Sequence, residues 1–194
     1  MIADHDRSGW IGASDTDYVV GNWDTATWEK WMLTKLGIHE SRIETIAMNA
    51  GTNKEHQILE HIGCDRTDRQ ILLPEYRLRV NLDGEIGRKV CECKTYGFDK
   101  GFKLPLKYKR QVWVQMFGAE TDTASVYAYG LTDEDYRNYF LPIDENRLTE
   151  FPIEYNREFI EKYREPLTVL ARCIEEGRLP NEAERDNHRH CHGL

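Results

Sequence analysis

The chain has 194 residues, 40% hydrophobic and 31% charged, with a net charge of −8. That length suits a single domain, or one domain with a tail, and is enough for one buried core. No run of about 18 apolar residues occurs, so no transmembrane helix is expected. The first ten residues are polar and acidic and lack the apolar stretch of a signal peptide, so a cytoplasmic protein is expected.

The five cysteines are Cys64, Cys91, Cys93, Cys173 and Cys191. An odd number without Cys-x-x-Cys spacing argues against a disulfide framework or a zinc site, and buried free thiols are the expectation. Charge is unevenly spread. Between Arg66 and Gln115 there are 12 bases and 6 acids, and between Thr132 and Asp186 there are 15 acids and 8 bases. A basic stretch suits a polyanionic partner, although charge alone leaves a solvated surface equally open.

In chain order, Asp24 to Leu36 reads as a helix, capped by Asp24 and ended by Gly37. Trp28, Met32 and Leu36 recur at helical spacing, so its tryptophans are assigned to the core. Gly51 opens a second helix that runs through Ile58, Leu59 and Ile62 to Gly63. Thr52 and Glu55 make a Thr-x-x-Glu capping box, and on the residues alone this structural role is the favoured one for Glu55.

Tyr76 to Leu82 alternates as a strand and ends at Asp83. Gly84 and Gly87 turn the chain, and Lys89 to Thr95 returns as the second strand of a hairpin. Glu92 and Lys94 are two apart and share a face, with Cys91 and Cys93 on the other. A third helix starts at Leu104-Pro105, with Tyr108, Gln111, Val112, Gln115 and Met116 along one side. Ala124 to Tyr129 is a strand and Thr132 to Tyr139 a short helix.

Ile153 to Glu176 reads as a long helical segment that Pro166 kinks or splits. Residues 177–194 form a polar tail ending in His188-Arg189-His190-Cys191-His192. That cluster has soft-metal chemistry, but a disordered tail is the favoured reading. The order of elements gives an α/β fold with a short mixed sheet flanked by helices. One domain is expected over residues 1–176, with a motif core at about 50–131 and a helical region at 132–176.

The hairpin carries the chemistry. Hydrolysis of a phosphodiester builds charge on the phosphate oxygens, which a hard divalent cation can neutralise. Asp83 and Glu92 supply carboxylates of the type such a cation prefers, and the Cys93 carbonyl lies between Glu92 and Lys94. Lys94 would hold a water or a phosphate oxygen as a point charge. On these residues alone, a metal site and a charged surface turn both remain open.

Asp83 followed by Glu92-x-Lys94 resembles the PD-(D/E)XK nuclease superfamily. Within it, the chain is similar to the lambda-type phage exonucleases, also called YqaJ-like viral recombinases. The resemblance covers roughly Arg7 to Leu131. It rests on Arg7-Ser8-Gly9-Trp10-Ile11-Gly12-Ala13-Ser14, Gly51-Thr52-x-x-Glu55, Leu82-Asp83-Gly84, Glu92-Cys93-Lys94 and the segment Tyr108 to Met116. These short blocks occur in the family's order.

The resemblance implies a restriction-endonuclease-like core and a metal-dependent 5′→3′ exonuclease acting on double-stranded DNA ends. It places Glu55, Asp83, Glu92 and the Cys93 carbonyl around Mg²⁺, with Mn²⁺ as a substitute, and moves Glu55 from the capping box to the metal. Lys94 and Gln111 would position water. Arg7 and Ser14 would hold the 5′-phosphate. Asn81 stands where the family's best-known member has a serine, and its amide can donate the same bond. The resemblance further implies a trimeric ring, a single-strand annealing protein as partner, and a phage or prophage origin. Two other readings stand beside it: an endonuclease or repair nuclease of the superfamily, and a non-catalytic DNA-binding module of the same fold.

Overall fold

The computed structural model of the chain describes residues 8–39 and 46–192, with side chains described over 8–39 and 53–190. The chain forms two compact units. The first draws on Met1–Ser41, Gln70–Val80 and Asn156–Leu194, and the second on Arg42–Arg69 and Asn81–Tyr155.

The first unit contains β1 (Ile11–Gly12), α1 (Thr16–Val20), α2 (Ala26–Lys35), α6 (Arg157–Glu175) and α7 (Glu182–His192). The second contains α3 (Ile46–His61), β4 (Lys89–Gly97), α4 (Leu106–Ala119), β5 (Thr123–Leu131), α5 (Asp133–Arg137) and β6 (Leu148–Glu154). Strands β2 (Arg66–Leu73) and β3 (Leu78–Ile86) contribute residues to both units. The six strands are ordered β1-β3-β4-β5-β6, with β2 also paired to β3.

In the second unit, β3 runs antiparallel to β4, with Ile86 opposite Lys89 and Gly84 opposite Cys91. β4 is parallel to β5, and Glu92 registers with Val126 and Lys94 with Ala128. Parallel neighbours need a crossover, which α4 provides. β6 closes this side antiparallel to β5. Ile58 and Leu59 of α3 pack on Cys91, Cys93, Tyr127 and Tyr129. Successive strand residues point to opposite faces, so Glu92 and Lys94 face α4, which lies against β4 and β5. The helices flank the sheet, as expected.

One buried ion pair ties α3 into this unit. Lys54 and Asp135 have fully buried side chains, with Nζ 3.2 Å from Oδ1. Lys54 also donates to the Leu141 carbonyl at 2.5 Å. Asp135 accepts in addition from Arg147 and from the Thr132 amide. The residue that follows Lys54 in the helix is Glu55.

The first unit is built around aromatic rings. Trp28 and Trp31, the tryptophans of α2, are buried as expected, and Trp23, which precedes the helix, is buried with them. Trp23 stacks on Trp28 and on His188, the latter with ring centroids 3.9 Å apart. Cys91, Cys93 and Cys173 are buried free thiols and Cys64 is half-buried, while the Cys191 side chain lies outside the described residues. Among the described residues no helix is long and apolar enough to cross a membrane.

Several local expectations need correction. Thr25, not Asp24, caps α2, its side chain accepting from the Trp28 amide at 3.1 Å. Helix α3 already runs at Ile46, so Thr52 lies inside it and no capping box starts there. Gly84 is a strand residue, and the turn falls at Gly87, whose φ is +59°. Tyr76 belongs to a 3-10 turn rather than to β3.

Ile153 lies in a strand, β6, and the helix begins only at Arg157. That strand went unread because it is rich in acids and contains Pro152, which an edge strand tolerates. Pro166 is accommodated within a continuous α6. Residues Glu182–His192, expected to be disordered, form α7, held by the burial of His188 against Trp23.

Gly84 is required by close approach rather than by turn geometry. A Cβ there would lie 2.5 Å from Leu59 Cδ2 and 2.7 Å from Cys64 Sγ. G84A is therefore expected to lower stability by about 1–3 kcal/mol in urea denaturation. K54M, which leaves Asp135 buried without its lysine, is expected to cost roughly 3 kcal/mol or more in the same assay.

Candidate active site

Glu92 occupies the middle of β4 and is 1% exposed. A carboxylate so buried has to be surrounded by donors. Its Oε1 accepts from Lys94 Nζ and, at 2.6 Å, from Gln111 Nε2. Its Oε2 accepts from Gln115 Nε2 at 2.5 Å. Gln111 and Gln115 are one helical turn apart on α4, and that spacing delivers both amides to one carboxylate.

Asp83 lies on β3, one residue beyond the Gly84–Cys91 pair. Its Oδ2 accepts from the Cys93 amide at 2.8 Å. The Asn81 carbonyl accepts from Gln115 Nε2 at 3.1 Å. At this point side chains satisfy backbone groups of both strands, as buried peptide groups require.

Glu55 reaches the same cluster from α3. Burial, then the charge of Glu92, raises its pKa from the ordinary 4.5 to about 7, with Lys94 opposing and Asp68 adding to the rise. Burial, then the charges of Glu92 and Glu55, holds the Asp83 carboxyl well above the usual carboxylate range. Burial works against the Lys94 ammonium, but the Glu92 and Asp83 carboxylates outweigh it and raise its pKa. Lys94 Nζ also lies 5.0 Å from the Tyr108 ring centroid, a cation–π contact.

Glu55, Asp83 and Glu92 thus repel one another around a single ammonium group. Their donor atoms are all oxygen, and their excess negative charge fits a hard divalent cation. Among the described residues, no three His, Cys, Asp or Glu side chains already converge as ligands.

Of the residues expected at the site, Glu55, Asp83, Glu92, Lys94, Gln111 and the Cys93 backbone belong to one cluster. Asn81 is an exposed residue of β3, adjoining the cluster through its carbonyl. Ser14 lies in the first unit, in the 3-10 turn Ala13–Asp15 after β1. Arg7 lies outside the described residues.

Two residues at or near the cluster went unassigned from the sequence. Helical periodicity places Gln115 only along one side of its helix, and its distance of four from Gln111 is the available signal. Asp68 is a left-handed residue in β2 with φ +56°, and no sequence pattern marks it.

No family model matches the sequence, and no curated protein is similar to it in a sequence search. Solved structures are similar in fold. LHK-Exo, an alkaline exonuclease from Laribacter hongkongensis, superposes with a TM-score of 0.67 at 20% identity, over 95% of this chain and 93% of that one. Its complex with dAMP gives a TM-score of 0.68 at 20% identity and the same coverage. A phage-related exonuclease from Haemophilus somnus gives 0.66 at 11% identity, over 86% of this chain and 94% of that one. The chain therefore has the mixed α/β, restriction-endonuclease-like fold of these exonucleases.

The Glu55 carboxyl makes a signed prediction for the metal-free protein. An unfolded glutamate loses its proton near 4.5, whereas the folded one holds it to about 7. The folded state is therefore penalised as pH rises through that window, and the penalty persists above it. In EDTA, E55Q is expected to melt above the wild type at pH 8, by on the order of 1–3 kcal/mol, and to converge with it below pH 4. Thermal melts across that range check the sign, and a lower Tm for E55Q at pH 8 would contradict it.

Proposed function

We propose that the protein is a metal-dependent deoxyribonuclease that degrades linear double-stranded DNA 5′→3′ and leaves 3′ overhangs for phage-type recombination. The observation that carries this reading is the carboxylate cluster Glu55–Asp83–Glu92 with Lys94 and Gln111 on one Glu92 oxygen. The fold likeness to exonucleases supports it. One of those structures holds dAMP, a mononucleotide of the kind an exonuclease releases.

Glu55, Asp83, Glu92 and the Cys93 carbonyl would hold Mg²⁺, or Mn²⁺ in its place. When bound, the cation supplies charge neutralisation on the phosphate and a lower pKa for water. The protein's own groups do the rest. Lys94 gives a positive charge beside Glu92 for a phosphate oxygen or water, and Gln111 offers an amide in the same place. Arg7, Ser14 and Asn81 are assigned to the terminal 5′-phosphate. A trimeric ring, a single-strand annealing partner and a cytoplasmic setting in a phage or prophage host complete the reading.

The test uses end-labelled linear duplex and covalently closed circular DNA, each with Mg²⁺ and with EDTA. Linear DNA carrying a 5′-phosphate should be digested from that end, and the circle should survive. K94A should lose at least about 100-fold in rate. Efficient cutting of the circle would make the protein an endonuclease, and wild-type rates in K94A would remove the mechanism. Tight, salt-sensitive binding without turnover would make it a DNA-binding module.

A further inference from the structure

Gln115 is 1% exposed and sits one turn beyond Gln111 on α4. Its Nε2 donates to the Asn81 carbonyl at 3.1 Å and to Glu92 Oε2 at 2.5 Å. A carbonyl and an ionised carboxylate only accept, so the amide nitrogen has to face them. That orientation uses both N–H groups and leaves Gln115 Oε1 buried without a partner. An amide that leaves its own oxygen unsatisfied is being held by its neighbours' need for donors.

The two oxygens of Glu92 consequently differ. Oε1 meets Lys94, whose side chain is 21% exposed, and half-buried Gln111. Lysine is a compact charge on a flexible stem, so it can yield that oxygen to a competing cation. Oε2 is closed off by a buried amide that is also bonded to the backbone of β3.

We infer that Gln115 makes Glu92 a one-oxygen ligand and thereby selects a small octahedral cation, Mg²⁺ or Mn²⁺, over Ca²⁺. This rests on the metal-dependent reading of the same site. Mg²⁺ needs near-octahedral geometry, which single oxygens supply. Ca²⁺ takes six to eight oxygens and often grips a carboxylate by both. With Oε2 committed to Gln115, the two-oxygen grip is blocked. Gln115 is a positioning residue that acts through Glu92 and touches no substrate.

The test titrates Mg²⁺, Mn²⁺ and Ca²⁺ calorimetrically into the full chain without DNA, comparing wild type, E92Q and Q115M. Methionine keeps the length of glutamine and removes both donors. Q115M is expected to lose about 10-fold or more in Mg²⁺ affinity while its Ca²⁺ affinity holds or rises. A parallel loss for both cations, or no change in either, overturns the inference.

If Q115M does not melt cooperatively, the wild type decides by infrared difference spectra with and without Mg²⁺, the Glu92 band being assigned from E92Q. A wider split between the two carboxylate stretches than in the free ion marks one-oxygen binding, and a narrower split overturns the inference. Equal cation uptake by wild type and E92Q would overturn the metal reading itself, an outcome separate from unchanged selectivity in Q115M.

Discussion

A carboxylate buried in the middle of a sheet constrains everything near it, and Glu92 sets this constraint in the second unit. Desolvating the charge is unfavourable by several kcal/mol unless donors replace water. Lys94, Gln111 and Gln115 are those donors. Two of them come from α4, so this polar contact joins the buried Val112 and Met116 in fixing that helix over the sheet. Gln115 carries the constraint on to β3 through the Asn81 carbonyl. Sheet order, helix placement and site geometry thus meet at one side chain.

Glu55 depends on a different anchor. Its helix is held by Ile58 and Leu59 in the apolar cluster and by Lys54 on Asp135. A buried ion pair is weak evidence for net stability, but it is directional, and losing one partner is costly. Here the direction matters: Lys54 and Glu55 are adjacent, so locking one sets the bearing of the other. In that position burial and the Glu92 charge raise the Glu55 pKa. Burial together with like charge is the arrangement by which active sites shift carboxyl pKa values.

The grouping of the hairpin side chains was legible in the sequence because it is local. Asp83, Glu92 and Lys94 lie on adjoining strands of a hairpin, and period-two alternation places Glu92 and Lys94 on one face without tertiary information. Gln111 was marked by the family resemblance of its helix and not by periodicity, which places it only along one side. Glu55 was obscured by a local motif, since Thr-x-x-Glu reads as a helix start when the preceding turns lack apolar periodicity. Gln115 was hidden because a buried glutamine and a surface one look alike until the acceptor is known. Of the fold, β2 is exposed along most of its length and β6 is acidic with a proline, so neither has the alternation that identifies a strand. Helix α7 has a polar composition, and its order comes from partners outside the helix: His188 stacks on Trp23, Arg185 and Arg189 pair with Asp24, and Glu184 pairs with Arg172 and Arg178.

The identity of residue 94 follows from the same carboxylate. An arginine there would present a planar fork that matches both oxygens of Glu92 at once. It would compete with Gln115 for Oε2 and hold the carboxylate in a two-point grip. A lysine engages Oε1 alone and leaves Oε2 to the amide. Its stem lies in the protein, and its charge is shared between Glu92 and the face of Tyr108. The ammonium is therefore bound well enough to balance a buried acid in the metal-free protein, yet it holds only one of that acid's oxygens. Lysine can balance Glu92 through one oxygen and leave the other to Gln115, a combination that arginine's fork does not offer.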